Sequence, residues 1–253
     1  MEPIKETRVP ALVHEVAVRT AQGNREYMED FALVLQPFGG DALYAAVFDG
    51  HSGERVARSA ADRLHTILAG SMEREPTADA LRSAFRAFDA EVARENAGAV
   101  AVVSVLQAES LLIANIGDSQ ALLVSDGAQE FVTQDHRIGN REEFERVVAA
   151  GARVWGPYMC LPNGRAVMTT RAFGDAPFKR IGQISEPAIG SRTLGPGDRW
   201  LVLASDGVWD PLAAEVVAAI VRPEPTAEAA AERLLGEALA AGDDNVSVVV
   251  VRL

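Results

Sequence analysis

Acidic side chains stand at five places where an apolar run meets a turn: Glu29 or Asp30, Asp49, Asp118, Asp206 and Asp244. Leu43 to Phe48 leads into Asp49-Gly50, Leu111 to Ile116 into Gly117-Asp118-Ser119, and Trp200 to Ala204 into Ser205-Asp206-Gly207. A further case is inverted, with Gly242-Asp243-Asp244-Asn245 ahead of Val246 to Val251. Taken singly, each Asp-Gly or Asp-Ser pair reads as a turn, because these residues favour turns for backbone reasons of their own. Taken together, the set can gather carboxylates from distant parts of the chain at strand ends, where rigid scaffolds present functional groups. Oxygen ligands suit hard divalent cations such as Mg²⁺ and Mn²⁺, whereas zinc favours His and Cys. With four His and one Cys in the chain, the donor set points to the harder ions. Two such ions about 3.5–4 Å apart can share a carboxylate and a water, lowering that water's pKa to make a nucleophile.

The elements that must position these acids are legible in outline. Besides the four runs above, strands are expected at Glu15 to Thr20, Phe31 to Gln36, Ala99 to Gln107, Ala121 to Ser125 and Ala166 to Thr170. Ser52 is expected to cap a helix running to about Leu68, and Thr77 one from Ala78 to about Glu95. Shorter helices fit Arg141 to Ala150 and Leu212 to Val221, and Thr226 caps Ala227 to Ala241, which ends at Gly242. Strand and helix do not alternate regularly, so a doubly wound parallel sheet is disfavoured. The pattern predicts an α+β protein of packed antiparallel sheets with helices outside.

Seven words spread over residues 25 to 247 carry a resemblance. They are Arg25-Glu26-Tyr27-Met28-Glu29-Asp30, Val47-Phe48-Asp49-Gly50-His51-Ser52-Gly53, Asn115-Ile116-Gly117-Asp118-Ser119, Gln134-Asp135-His136, Thr170-Arg171-Ala172-Phe173-Gly174-Asp175, Ala204-Ser205-Asp206-Gly207-Val208-Trp209-Asp210 and Asp243-Asp244-Asn245-Val246-Ser247. In order and wording they resemble the PPM family, the metal-dependent protein serine/threonine phosphatases of type 2C, and its eukaryotic-style members more than the short bacterial ones. The resemblance implies a central sandwich of two antiparallel β-sheets flanked by α-helices, in α-β-β-α layers, and two bridged Mg²⁺ or Mn²⁺ ions with a weaker third. On it, Asp49 bridges both ions, Asp206 and Asp244 complete one site, and Glu29 with the Gly50 carbonyl holds the other. Asp30 holds bound waters, and Asp118 joins Asp206 at the third site. Arg25 holds the substrate phosphate, for which a planar guanidinium is suited. His51 gives a proton to the departing serine or threonine oxygen. The implied reaction is hydrolysis by a metal-activated water with no phosphoenzyme. By composition alone, Arg25 would be a surface ion-pair residue and His51 a solvated or structural one.

One stretch departs from the family's wording, and other segments carry weaker signals. Gly98-Ala99-Val100-Ala101 has apolar groups where many members have hydroxyls, and these are expected to be core positions. Val154 to Gly164, with Trp155, Pro157 and Tyr158, corresponds to the family's flap, whose wider bounds are about 137–175. Arg141 to Gly151 reads as a short helix without identifiable chemistry. Cys160 lacks a neighbouring His motif and reads as structural.

The bulk properties constrain the rest. A chain of 253 residues fits one large domain or two small ones and is ample for a buried core; the resemblance implies an extension over 1–10 and a single phosphatase domain over 11–253. The net charge of -12 argues against nucleic acid, whose phosphates need a basic footprint, and so against a two-metal nuclease. No stretch approaches the ~20 apolar residues of a membrane span, and Met1 to Pro10 lacks the apolar core of a secretory signal. A lone cysteine permits no intrachain disulfide and fits a reducing compartment. The expectation is a soluble, cytoplasmic monomer acting on phosphoproteins, with an organelle left open if a transit peptide has been removed. The competing reading is a catalytically inactive family member serving as a regulatory binding module; such a protein would have lost metal carboxylates, and this chain retains them.

Overall fold

A computed structural model describes residues 13–253; the expected extension over 1–10 lies outside them. The strands are β1 (Glu15–Ala21), β2 (Phe31–Phe38), β3 (Ala42–His51), β4 (Gly98–Gln107), β5 (Ser110–Ile116), β6 (Gln120–Ser125), β7 (Gln129–Phe131), β8 (Arg153–Trp155), β9 (Tyr158–Cys160), β10 (Ala166–Val167), β11 (Phe173–Gly174), β12 (Ala188–Thr193), β13 (Asp198–Ala204) and β14 (Val246–Arg252). The helices are α1 (Arg55–Met72), α2 (Thr77–Glu91), α3 (Arg141–Ala149), α4 (Ala176–Lys179), α5 (Asp206–Trp209), α6 (Ala214–Val221) and α7 (Ala227–Ala241).

Strand β3 shows how the sequence builds the layers. Side chains alternate between the two faces of a strand. Tyr44, Ala46 and Phe48 pack with α1 and α2, while Leu43, Ala45 and Val47 pack between the two sheets. Both faces are therefore buried, which is why the run is apolar throughout instead of alternating with polar residues. Strand β14 repeats the logic, with Val248 and Val250 toward α6 and α7, and Val249 and Val251 between the sheets. Each fully buried Leu, Val or Phe contributes about 1.5–3 kcal/mol, so three such clusters hold the sandwich together.

One sheet has the order β12-β5-β4-β3-β2 and the other β1-β14-β13-β6-β7, all antiparallel. The α-β-β-α sandwich expected from the sequence is thus what the chain forms. A three-stranded sheet, β10-β9-β8, lies in the segment expected to form a flap, and Ile138, Val147, Met159 and Phe178 make a small core beside it. Ala99 and Ala101 are buried against the helices, as expected of the apolar replacements on β4.

Several boundaries differ from expectation. Ser52 has φ +61 and lies in the turn after β3; α1 starts only at Arg55, after Glu54, with no side-chain cap. Thr77 is the first helical residue rather than the cap, because Pro76 takes that place with extended backbone. Helix α2 stops at Glu91, and the carbonyls of Glu95 and Ala97 instead accept hydrogen bonds from the N–H groups of Ala176 and Asp175. The strand expected over 166–170 shrinks to Ala166–Val167, and the helix expected from Leu212 starts at Ala214. Thr226 does cap α7, accepting from the Ala229 N–H at 3.1 Å. Among the described residues no helix is long and apolar enough to cross a membrane.

Candidate metal centre

Asp49 follows Leu43, Ala45 and Val47 in the alternation of β3, so its side chain belongs to the face between the sheets, at the point where the strand is ending. Asp118 follows β5 through Gly117, and Asp206 opens α5 directly after β13. One carboxylate oxygen from each of these three residues lies within 4.8 Å of the other two. Both sheets therefore contribute to one acidic focus. Gly50 permits the close approach of a third segment, since a Cβ there would lie 2.6 Å from the Glu29 carbonyl oxygen.

The focus opens into a cleft of about 440 Å³, lined among others by Arg25, Glu29, Asp49, Gly50, His51, Asp118, Asp206 and Asp244. The Arg25 guanidinium is on Asp244, with Nη2 to Oδ2 at 2.6 Å. The Glu29 carboxylate accepts from the Gly53 N–H, and the Glu29 N–H donates to Asn245 Oδ1 at 2.8 Å. Asp30 lies behind the cleft, almost fully buried, and accepts from the Ser205 hydroxyl at 2.8 Å. His51 Nε2 meets Asp175 Oδ2 at 2.6 Å. All the acids singled out from the sequence thus gather at one end of the sandwich, with Asp30 set back from the rest.

The electrostatics show what this gathering costs. Burial, then the charges of Asp206, Asp30 and Asp118, push the Asp49 carboxyl well above the usual range. Burial, then Asp118, Asp244 and Asp210, push Asp206 up to about 8, with Arg137 opposing. Burial lifts Asp30 to about 6 against hydrogen bonds from Ser205 and Ser247 that lower it, with Asp244 and Glu29 adding to the rise. For His51, burial alone would lower the pKa, but the bond to Asp175 and that group's charge outweigh it and leave it raised. Carboxylates desolvated and pressed together in this way are an arrangement that a multivalent cation relieves. The donors are all oxygen, and the residues present fit Mg²⁺ or Mn²⁺.

Three participants were not singled out by sequence reasoning. Arg137 reaches Asp118 at 2.7 Å through Nε, Asp210 at 2.7 Å through Nη1 and Asp206 at 3.3 Å through Nη2. It follows directly on the Gln134-Asp135-His136 word, and that adjacency was the available signal. Asp175, the partner of His51, ends the Thr170 to Asp175 word with the same Gly-Asp pair as Gly117-Asp118. Glu143 lies on α3, in the segment without identifiable chemistry, and holds the flap region through Arg146 and Arg171, both at 2.6 Å; nothing local in the sequence marks it.

A two-layer antiparallel sandwich, helix-covered on both faces, with an all-oxygen acidic focus beside an arginine and a histidine, defines a candidate metal-dependent hydrolase. A family model described as protein phosphatase 2C matches residues 14–246. A rice protein described as probable protein phosphatase 2C 8 is 32% identical over 317 residues, covering 100% of this chain and 77% of its own. Probable protein phosphatase 2C 69 of Arabidopsis thaliana is 31% identical over 244 residues, covering 92% and 68%. Among solved structures, a C. elegans sex determining protein superposes with a TM-score of 0.83 at 25% identity, over 94% of this chain and 64% of that one. A serine-threonine phosphatase 2C from Toxoplasma gondii gives 0.79 at 22% identity, over 94% of both chains, and so shares the fold. The chain belongs to the protein phosphatase 2C family of serine/threonine phosphatases.

Proposed function

We propose that the cleft hydrolyses phosphoserine and phosphothreonine in proteins with the help of two Mg²⁺ or Mn²⁺ ions, and without a phosphoenzyme. The observation that carries this reading is the convergence of Asp49, Asp118 and Asp206, from both sheets, to within 4.8 Å. Asp49 would be shared by both ions, with Asp206 and Asp244 on one and Glu29 with the Gly50 carbonyl on the other. Asp30, set behind, would orient bound water, and Asp118 with Asp206 would form a weaker third site. When bound, the cations supply a water of lowered pKa and neutralise charge on the phosphoryl oxygens. Arg25 is the guanidinium available to the phosphate: exposed at the cleft and paired with Asp244, it would turn to phosphoryl oxygens where Asp244 is held by a cation. His51, lining the same cleft, protonates the departing seryl or threonyl oxygen.

The test is turnover of a phosphothreonine peptide with Mn²⁺ and with a chelator. Hydrolysis that needs the ion and stops on chelation is expected. Metal-independent turnover, or none in the wild-type protein, would sink the proposal.

A further inference from the structure

We propose that Asp175 is a positioning residue for His51: a buried carboxylate and a partly exposed imidazole form a pair that turns Nδ1 of His51 toward the leaving oxygen of the phosphomonoester. The inference rests on the reading of the cleft as a phosphatase site.

Four observations support the pair. First, His51 Nε2 and Asp175 Oδ2 are 2.6 Å apart, so this ring nitrogen is engaged and Nδ1 is left to the cleft that His51 lines. Second, Asp175 is fully buried and rigidly set. It has φ +51 and ψ +42, a left-handed conformation that an L residue keeps only where its surroundings hold it there. Its N–H donates to the Ala97 carbonyl at 2.9 Å and its carbonyl accepts from the Phe178 N–H at 2.8 Å. Third, Gln183 Nε2 donates to the same Oδ2 at 3.0 Å, a second bond that holds the carboxylate in place. Fourth, Gly98 makes room: a Cβ there would stand 2.4 Å from His51 Nε2 and 2.6 Å from Asp175 Oδ2.

The cost of this arrangement argues for a role. Asp175 Oδ1 is buried without a hydrogen-bond partner among the described residues. A desolvated carboxylate with one free oxygen is unfavourable unless a cation faces it. The Lys179 ammonium is hydrogen-bonded to Asp89 and the Ala172 carbonyl, so the side chains in direct contact with the Asp175 carboxylate are those of His51 and Gln183. In the reaction, a water oxygen bonds to phosphorus and the phosphorus–ester oxygen bond breaks. Its electron pair stays on the seryl or threonyl oxygen, which takes the proton from Nδ1. The attacking water's proton leaves to solvent, and the imidazole regains one from solvent. Asp175 keeps the ring oriented throughout and does not itself transfer a proton.

Leaving-group dependence tests this on the Mn²⁺-loaded full chain. Phenolate needs a proton to depart and 2,4-dinitrophenolate does not. Asp175→Asn is expected to lower the kcat ratio of phenyl phosphate to 2,4-dinitrophenyl phosphate by about 10²-fold, with KM for both within about twofold. His51→Gln should change the ratio similarly, and the double variant no further than His51→Gln alone. Equal losses on both substrates, or ratio changes that multiply in the double variant, would overturn the pair. If His51→Gln leaves the ratio unchanged, the acid role of His51 itself is wrong and the pair falls with it, whereas metal-dependent turnover would still stand. If Asp175→Asn does not fold, Gly98→Ala serves the same test, since the new Cβ drives the pair apart; an unchanged ratio there overturns the proposal.

Discussion

The carboxylates at the end of the sandwich and the carboxylate of Glu143 in the flap region are both removed from water, yet their proton affinities move in opposite directions. Burial raises Asp49 and lifts Asp206 to about 8, and the neighbouring acids add to the effect. Burial would also raise Glu143, but Arg171, Arg146 and the Thr170 hydroxyl outweigh it and bring the group to about 2. Glu143 Oε1 faces Arg171, Oε2 faces Arg146 and Thr170 Oγ1, and both guanidiniums hold backbone carbonyls as well. Both Glu143 oxygens therefore face a guanidinium, and each guanidinium also has a backbone acceptor. At the cleft, Arg137 is a single cation shared by Asp118, Asp206 and Asp210, and Asp49 has no basic partner among the described residues. The opposite shifts separate the acids the fold uses for itself from those it holds at a cost for chemistry.

The sharpest way to break that contrast is Asp49→Asn. It removes a ligand both ions would share, so turnover of a phosphothreonine peptide falls by more than about 10³-fold. It also removes a repelling buried charge, so the melting temperature in EDTA rises by about 2–4 °C. Near-normal turnover would show that the metal assignment is wrong. A clear fall in metal-free stability would show that Asp49 is structural, like Glu143.

The reverse experiment is Glu143→Ala. It strands Arg146 and Arg171 in a largely buried setting, and breaking such a network from one side costs about 3 kcal/mol. Urea unfolding in EDTA should show that loss as a lower midpoint with the slope unchanged. A cost under about 1 kcal/mol would place Glu143 among ordinary surface ion pairs and erase the contrast.

The same contrast explains what could be read in advance. Asp49, Asp118 and Asp206 were legible because each closes an apolar run of strand length, and the seven words stand in one order along the chain. The layers were legible for a related reason: β3 and β14 are apolar on both faces, which only an element buried on both sides requires. Strand β12 was missed because Gly190, Ser191 and Arg192 hide its pattern, and the short strands β8 and β9 are too brief to show a period. Ser52 has the composition of a helix cap but takes a left-handed turn conformation, set by how the chain leaves β3. Arg137 and Asp175 carried only the weak signals of adjacency to a word and of a Gly-Asp pair, and Glu143 none that marks it; their roles come from partners as far as 124 positions away. His136 belongs to a legible word, yet its burial, with neither ring nitrogen partnered among the described residues and its pKa lowered to about 4, is a purely tertiary fact.

The finest test is how stability depends on pH, because the two regions should shape different limbs of one curve. Between pH 2 and the ordinary value of 4.5, the unfolded Glu143 binds a proton that the folded one refuses. Stability therefore rises with pH across that window, by about 3 kcal/mol from this group. Asp206 does the opposite. Between its ordinary 3.8 and about 8 the folded chain keeps a proton that the unfolded chain has lost, so stability falls as pH rises, and Asp49 acts in the same direction. In EDTA the melting temperature should peak near pH 4–5 and decline toward pH 8. Mn²⁺ binds the deprotonated carboxylates, so the stabilisation it confers should grow across the same interval. A metal-free curve that stays flat or climbs from pH 5 to 8 would mean that the cleft acids do not repel one another as their 4.8 Å grouping requires. If only the acid limb were missing, the failure would lie with Glu143 and leave the metal centre intact.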